Sequence, residues 1–517
     1  MTQLQTKINK KAFAPHSMRY LLRNGGLFCM GGDLIITGGM PLNGTVHIPA
    51  AKNSVLPLLA AALLCNGTVR FLQVPHLADV DTSVELLQGA GCTARWQGSD
   101  ITVQGVPSTC RLAPEAAARM RASILFCAPL LARLGRVETV LPGGCRIGAR
   151  PVDLHLSGLA QMGVHCREEG ERLILTAPAG LHGADITLGF PSVGATETLL
   201  LAAAAAQGET VLRGAAREPE ISDLAAFLTA AAAVYSAGTS TIRVQGRRML
   251  YSCSFAPMAD RIVASTLACA CAAAGGRVEL TGCRPETYAP LLEILAQMGC
   301  RIETGPESAV ITRLGALHGA GRVFTGVYPA LATDAAPLLA AAMLAADSAS
   351  SIEDVVFERR FGCAEGFAAF GAAVQVQGRT LDIRPVRQLQ GACARAADLR
   401  GGAALVVAAL AARGRSRITD TGYIDRGYAG FAQMLAELGA QIEREMPRES
   451  ASEKKNTFKK AKLTCIQGKK MNTIQLYKCK QIISVRYAQF YDKIRWRTKL
   501  WHSCSMKKWT KTLRRSR

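Results

Sequence analysis

Between residues 30 and 444, two patterns of apolar and polar positions alternate along the chain. Stretches such as AAKNSVLPLLAAALL (50–64) carry apolar residues at every position of a helical turn, as expected of a helix buried on most sides. Shorter stretches such as ARWQGSDITVQG and VYSAGTSTIRVQG alternate apolar with polar residues around a Gly-Ser or Gly-Thr break, which predicts β-hairpins. A helical end, a small residue and a short strand follow one another six times. The phrase reads LLQGAG at Gly91, LAQMG at Gly163, FLTAAA at Ala232, LAQMG at Gly299, FAAFG at Gly371 and LAELG at Gly439. The intervals are 72, 69, 67, 72 and 68 residues. A glycine after the last apolar residue predicts a left-handed helix cap. Units of this size exceed the usual solenoid repeat, so the pattern predicts a globular α/β (α+β) architecture made by duplication.

Composition alters this picture only at the two ends. The chain has 517 residues and a net charge of +22. Residues 454–517 contribute +19 and residues 1–29 contribute +5, which leaves 30–453 at −2. The basic balance therefore says nothing about the body. The tail holds 14 lysines and three of the four tryptophans. One reading of it is a nucleic-acid-binding extension, with cations on phosphates and rings on bases. The abrupt change in residue usage favours the other reading, read-through after a frameshift or a sequence join. Seventeen cysteines lie scattered, without a CxxC pair or a zinc spacing, and Cys269 and Cys271 sit in an apolar run that suits small buried thiols. The N-terminus lacks a signal-peptide pattern and the apolar runs are short for a bilayer, so a reducing cytoplasm and no membrane partner are expected.

Two places carry candidate chemistry. Lys52 is the sole lysine among residues 30–453, where arginine is otherwise the cation in use. An ammonium is a compact point charge and a guanidinium a planar fork, so a site built around the former does not accept the latter. Lys52 and Asn53 open an apolar helix, where an anion is favoured. A solvated surface lysine is the competing reading. The second place is LPGGCRIGARPVDLH (141–155), a glycine-rich loop in which Arg146 and Arg150 follow Cys145 and favour its thiolate; an ordinary structural cysteine is the competing reading.

These two segments, with MRASI (120–124), SVGATET (192–198), AAREPEISDLA (215–225) and IDRGY (424–428), resemble the UDP-N-acetylglucosamine 1-carboxyvinyltransferases of the EPSP synthase-like family. The resemblance spans roughly 30–444. It implies two inverse α/β barrel domains of three similar units each, with the active site in the cleft between them. The expected boundaries are 30–51 plus 260–445 for the first domain and 52–259 for the second, with 1–29 and 446–517 as extensions outside the family pattern and Met30 or Met18 as the expected start. The implied activity moves the enolpyruvyl group of phosphoenolpyruvate to the 3-hydroxyl of UDP-N-acetylglucosamine, the first committed step of peptidoglycan synthesis and the step that fosfomycin blocks.

Residue by residue, the resemblance gives Lys52 and Asn53 contacts to phosphoenolpyruvate and the sugar. It makes Cys145 the general acid, the site of a covalent adduct and of alkylation by fosfomycin. Arg121 and the run Arg150, Pro151, Val152, Asp153 and Leu154 match positions that grip phosphoenolpyruvate or the uridine diphosphate. Ser192 and Val193 match further nucleotide contacts, and Val356 a sugar-nucleotide contact. Asp334 faces the sugar hydroxyl, as base or as orienting group. Arg400 and Arg426 are the arginines of the other domain that close over the site. Addition of an alcohol to an enol ether followed by loss of phosphate needs an acid, a base and cations, and no metal or organic cofactor. Cys145 supplies either the proton or control of product release.

The chain departs from the family at Ala78 and at Phe190 or Pro191, where basic residues are usual, at Ala231–Ala233, and in the residues after Asp334. These departures keep a weakly active or inactive paralogue open as an alternative. The sister activity on shikimate 3-phosphate lacks the GGC loop, and a nucleic-acid binder would rest on the tail alone. The sequence is silent on oligomeric state.

Overall fold

A computed structural model describes residues 20–23, 26–29, 31–142, 152–230, 234–237, 240–247 and 250–445. The chain divides into two units, one of residues 1–29 and 447–517 and one spanning Met30–Met446. In the first, Tyr20–Arg23 pairs antiparallel with Gly26–Cys29.

Among the described residues of the body there are six small sheets, five of them with one pairing scheme: a parallel edge pair, then two antiparallel neighbours. Leu42–His47 runs parallel to Gly276–Thr281, which continues into Ser308–Arg313 and Arg301–Gly305. Cys253–Phe255 likewise pairs with Thr68–Phe71, followed by Asp100–Gln104 and Thr93–Gln97. The same order holds for Asp185–Thr187, Glu209–Arg213, Thr241–Gln245 and Val234–Ala237. It holds again for Gly321–Phe324, Ser350–Glu353, Thr380–Arg384 and Ala373–Gln377. A fifth sheet joins Cys393–Arg395, Gly414–Thr419, Asp33–Gly38 and Gln441–Glu445. In the sixth, Arg136–Val140, Arg172–Thr176 and His165–Glu169 are antiparallel, and the parallel edge is reduced to a bridge between Arg111 and Glu138.

The predicted hairpins at 93–104 and 234–245 are thus present. The predicted glycine caps are present as well: Gly91, Gly163, Gly299, Gly371 and Gly439 have φ between +80° and +101°. The third cap, at Ala231–Ala233, lies outside the described residues.

The apolar runs form buried helices. The helix Arg261–Ala274 is buried at every position from Arg261 to Ala273, and Ala336–Met343 is buried throughout. Leu399–Ala411, Val193–Ala205 and Lys52–Ala61 are nearly so. Alanine lets such helices approach closely, and each fully buried leucine, Leu58, Leu199 and Leu338 among them, contributes about 1.5–3 kcal/mol. The buried apolar side chains fall into two clusters, one from Val55 to Leu250 and one from Leu34–Ile48 and Ile262–Ala440. The chain therefore passes between clusters twice, and the two passages lie side by side. The Ala51 N–H donates to the Met258 carbonyl at 2.7 Å and the Asp260 N–H to the Pro49 carbonyl at 2.8 Å.

Gly276 is where the strand Leu42–His47 meets its distant partner. Its φ of +105° is strained for any other residue, and a Cβ there would run into the Leu42 peptide. Gly276→Ala is expected to cost roughly 3 kcal/mol and lower Tm by about 5 °C. Scanning calorimetry reads the effect, and a shift below about 2 °C would mean that the two strands can separate without consequence.

Candidate active site

Lys52 is the first residue of its helix, and its backbone N–H donates to Asp260 Oδ2 at 3.2 Å. Asp260 also caps the helix Arg261–Ala274, with Oδ1 accepting from Ile262 at 2.8 Å and Val263 at 3.0 Å. One carboxylate thereby fixes the starts of two helices from different clusters. The Lys52 side chain is only 14% exposed, and its Nζ lies 3.5 Å from Asp79 Oδ2. Arg426, next to the short helix Gly422–Asp425, sends Nε to the other oxygen of Asp79 at 3.2 Å and Nη2 to the Arg119 carbonyl at 3.4 Å.

A second knot of charge surrounds Asp334, in the turn Thr333–Ala335. Arg400 donates to it through Nε at 3.0 Å, and the guanidinium of Arg360 pairs with its other oxygen. Arg360 is 2% exposed, and its Nε donates to the Thr333 carbonyl at 2.7 Å and lies 3.9 Å from Asp354. Asp354 in turn accepts from the N–H groups of Val356 and Phe357, both at 2.8 Å. Arg400 stacks its guanidinium over the Tyr428 ring at 5.2 Å, and the Tyr428 hydroxyl meets Thr266 Oγ1 at 2.9 Å. Arg400 Nη1 is buried without a hydrogen-bond partner among the described residues.

The two knots sense each other. Burial lowers the Lys52 pKa, Asp79 opposes that, and Arg400 and Arg426 lower it further. Burial alone would raise the Asp334 pKa, but Arg400 and Arg360 override it and hold the carboxyl well below the usual carboxylate range. The net result is a shielded, cation-rich space in which an ammonium and three guanidinium groups share two carboxylates, Asp79 buried and Asp334 half-buried. Such a space suits a substrate with more than one anionic group.

Of the sequence-predicted residues, the structure brings together Lys52, Asp334, Arg400 and Arg426, and ties Val356 to them through Asp354. Asn53 follows Lys52 directly, and Arg121 opens the turn Arg121–Phe126 two residues beyond Arg119. Ser192 caps the helix Val193–Ala205 by accepting from Ala195 N–H at 3.3 Å. That helix lies against Asp153–Gln161, which begins with Asp153 and Leu154 after Val152; His155 Nδ1 and Thr198 Oγ1 are 2.8 Å apart. These two segments form a neighbourhood of their own. Cys145, Arg150 and Pro151 lie outside the described residues. Phe190, one of the departures, is exposed. Sequence reasoning missed Asp79, Asp260, Asp354 and Arg360.

Residues 36–435 match the family model described as EPSP synthase (3-phosphoshikimate 1-carboxyvinyltransferase). The chain is 42% identical over 418 residues to the UDP-N-acetylglucosamine 1-carboxyvinyltransferase of Nitratidesulfovibrio vulgaris, covering 80% of this chain and 99% of that protein. The chain belongs to the EPSP synthase family. A second member, the UDP-N-acetylglucosamine 1-carboxyvinyltransferase of Rhodospirillum centenum, is 42% identical over 429 residues, 80% of this chain and 98% of that one. Among solved structures of the family, the enolpyruvyl transferase NikO from Streptomyces tendae superposes with a TM-score of 0.71 at 25% identity, covering 81% of this chain and all of that one. EPSP synthase from Acinetobacter baumannii has a TM-score of 0.64 at 18% identity, covering 80% of this chain and 100% of that one, a likeness of fold.

Within the sequence FERRF, burial separates two adjacent arginines: Arg359 is exposed and Arg360 is sealed between Asp334 and Asp354. Arg360→Met is expected to cost about 3 kcal/mol, because two carboxylates lose their shared cation, Asp354 in a fully buried place. Arg359→Met is expected to stay within about 0.5 kcal/mol. Urea unfolding of both variants decides the matter; equal costs would contradict this division of labour.

Proposed function

We propose that the chain transfers the enolpyruvyl group of phosphoenolpyruvate to the 3-hydroxyl of UDP-N-acetylglucosamine with release of phosphate, in the cytoplasm, as the first committed step of peptidoglycan synthesis. The observation that carries this reading is the near-full-length likeness, 40–42% identical, to relatives bearing that enzyme's name. The cation cluster supports it, since both the donor and the acceptor are anionic. The competing activity on shikimate 3-phosphate draws support from the name of the family model and from two solved structures below 20% identity, which carry the fold alone.

The reaction divides into two steps. The sugar hydroxyl gives its proton to a base as its oxygen bonds to C2 of phosphoenolpyruvate, and C3 gains a proton from the general acid; C3 then returns a proton to a base and the bond from C2 to the phosphate oxygen breaks, releasing phosphate. Cys145 is the proposed general acid. Lys52, Arg121, Arg150 and Arg426 are proposed to hold phosphoenolpyruvate and offset charge on the departing phosphate, with Asn53 touching the sugar. Pro151, Val152, Asp153, Leu154, Ser192 and Val193 are proposed to line the nucleotide, and Val356 the sugar nucleotide, with Arg400 closing from the other side. For Asp334 the orienting role is the better supported of the two. A carboxylate held low by two guanidinium groups is a weak base, though a good hydrogen-bond acceptor for a hydroxyl.

We propose further that the body comprises two inverse barrels of three units, one of 30–51 plus 260–445 and the other of 52–259, with the site in the cleft between them. The two apolar clusters and the doubled passage near Ala51 and Asp260 support that division.

Phosphate release from phosphoenolpyruvate should require UDP-N-acetylglucosamine. Release triggered by shikimate 3-phosphate and not by the UDP-sugar would refute the reading. Fosfomycin should add to Cys145 alone. Burial pushes the thiols of Cys65, Cys127 and Cys271 up to about 12, so they should stay unmodified; adducts spread over several cysteines in peptide mass mapping would count against a special loop thiol.

A further inference from the structure

Asp79 lies in the first turn of the helix Ala78–Gly89, where its charge is favoured by the helix N-terminus. It is buried, and its two oxygens face cations that belong to different parts of the fold. Oδ2 faces Lys52, whose helix packs in the Val55–Leu250 cluster, at 3.5 Å. Oδ1 faces Arg426, which sits between Ile424 and Tyr428 of the other cluster, at 3.2 Å. The residue before it is Ala78, which adds no charge. Arg426 reaches this carboxylate from 347 positions away, and it gains a further anchor on the Arg119 carbonyl. The arrangement is that of an anion already in place between two cations of the site.

We propose that Asp79 is a positioning residue and internal counter-ion: it holds Lys52 and Arg426 together across the two clusters and yields part of that hold to the phosphoryl group of the incoming substrate. This rests on the transferase reading for the identity of the substrate, but not for the anion site itself. The role is distinct from that of a catalytic residue, since Asp79 acts through its two cations. It makes two opposed demands. Removing the charge frees both cations for an anion and strengthens binding of a simple anion, while loss of their alignment slows turnover.

The groups that face Lys52 set a further signature. They are Asp79, Arg400, Arg426 and Asp334, with Asp260 on its backbone N–H. Of these, Asp79 is the leading influence that keeps the ammonium protonated, and Arg400 and Arg426 act against it. Without Asp79, the Lys52 pKa falls further, so the basic limb of a pH profile that depends on the ammonium moves to lower pH.

The test compares the full chain with Asp79→Asn and Asp79→Glu. Calorimetric titration with inorganic phosphate needs neither substrate and reads the anion site directly. Asp79→Asn is expected to bind phosphate about tenfold tighter and to lose roughly 10- to 100-fold in kcat, with the basic limb of kcat/KM displaced to lower pH. Asp79→Glu keeps the charge and moves it by one methylene. It should hold phosphate affinity and the basic limb near those of the unaltered chain while kcat falls. A merely structural role would weaken phosphate binding in both variants and leave the limb in place. Unchanged or weaker phosphate binding in Asp79→Asn, or an unchanged kcat, overturns the proposal. If Asp79→Asn does not fold, a Glu variant whose phosphate affinity rises, or whose kcat is unchanged, overturns it. Absence of phosphate release by the unaltered chain with UDP-N-acetylglucosamine would sink the transferase reading instead, and the phosphate titrations would still decide the role of Asp79.

Discussion

Cations held close together in a poorly hydrated space repel one another, and the site exists only because that repulsion is met locally. Two unit charges about 4 Å apart interact by about 4 kcal/mol at the effective dielectric typical of a protein surface. Lys52, Arg360, Arg400 and Arg426 would face several such terms at once. Asp79 and Asp334 each divide their two oxygens between two cations, and Asp354 adds a third carboxylate behind Arg360. Arg400 draws additional support from the face of the Tyr428 ring. Arginine bears burial without losing its proton, whereas the ammonium of Lys52 is already pushed toward its neutral form. The single lysine is therefore the member whose charge depends most on its neighbours.

The fold brings these groups together through the ends of its buried helices. Lys52 and Arg261 are first residues of theirs, and Arg400 is the second of its own. Asp334 lies in the turn that leads into Ala336–Met343, and Arg121 in the turn that leads into Cys127–Leu134. N-termini carry partial positive charge, so the helices reinforce the attraction that the side chains exert on anions. The doubled passage of the chain supplies the register. Lys52 N–H on Asp260, and Arg261 on Glu220 at 3.0 Å with both side chains buried, connect the two apolar clusters within a few residues of that passage.

What the sequence discloses and what it conceals follow from the range of the interactions involved. Hairpins and glycine caps are local, set by a few neighbouring residues, and their positions were legible from apolar spacing alone. The exceptional standing of Lys52 was legible as well, because a lone lysine among arginines is a statement about chemistry and needs no partner to be noticed. Asp79 was not. It meets Lys52 across 27 positions and Arg426 across 347, and nothing in ADVDT distinguishes it from Asp81. Arg360 and Arg359 are equivalent on paper until burial separates them. The loop from 143 to 151, which carries the most specific motif of the chain, lies outside the described residues, so its chemistry still rests on the sequence.

A site organised in this way does not wait as a set of free charges. An arriving phosphate or carboxylate must exchange partners with Asp79 or Asp334, so its affinity is a difference between two sets of ion pairs rather than the sum of one. On the proposed reading, that difference would keep binding moderate where many cations converge and let a product anion leave again. The same exchange confers selectivity: a ligand with one anionic group can satisfy one knot while the other stays internally paired. On the proposed reading, a substrate pair that presents both a phosphate and a carboxylate would engage both knots at once, with Arg360 staying behind as the buried partner of Asp334 and Asp354.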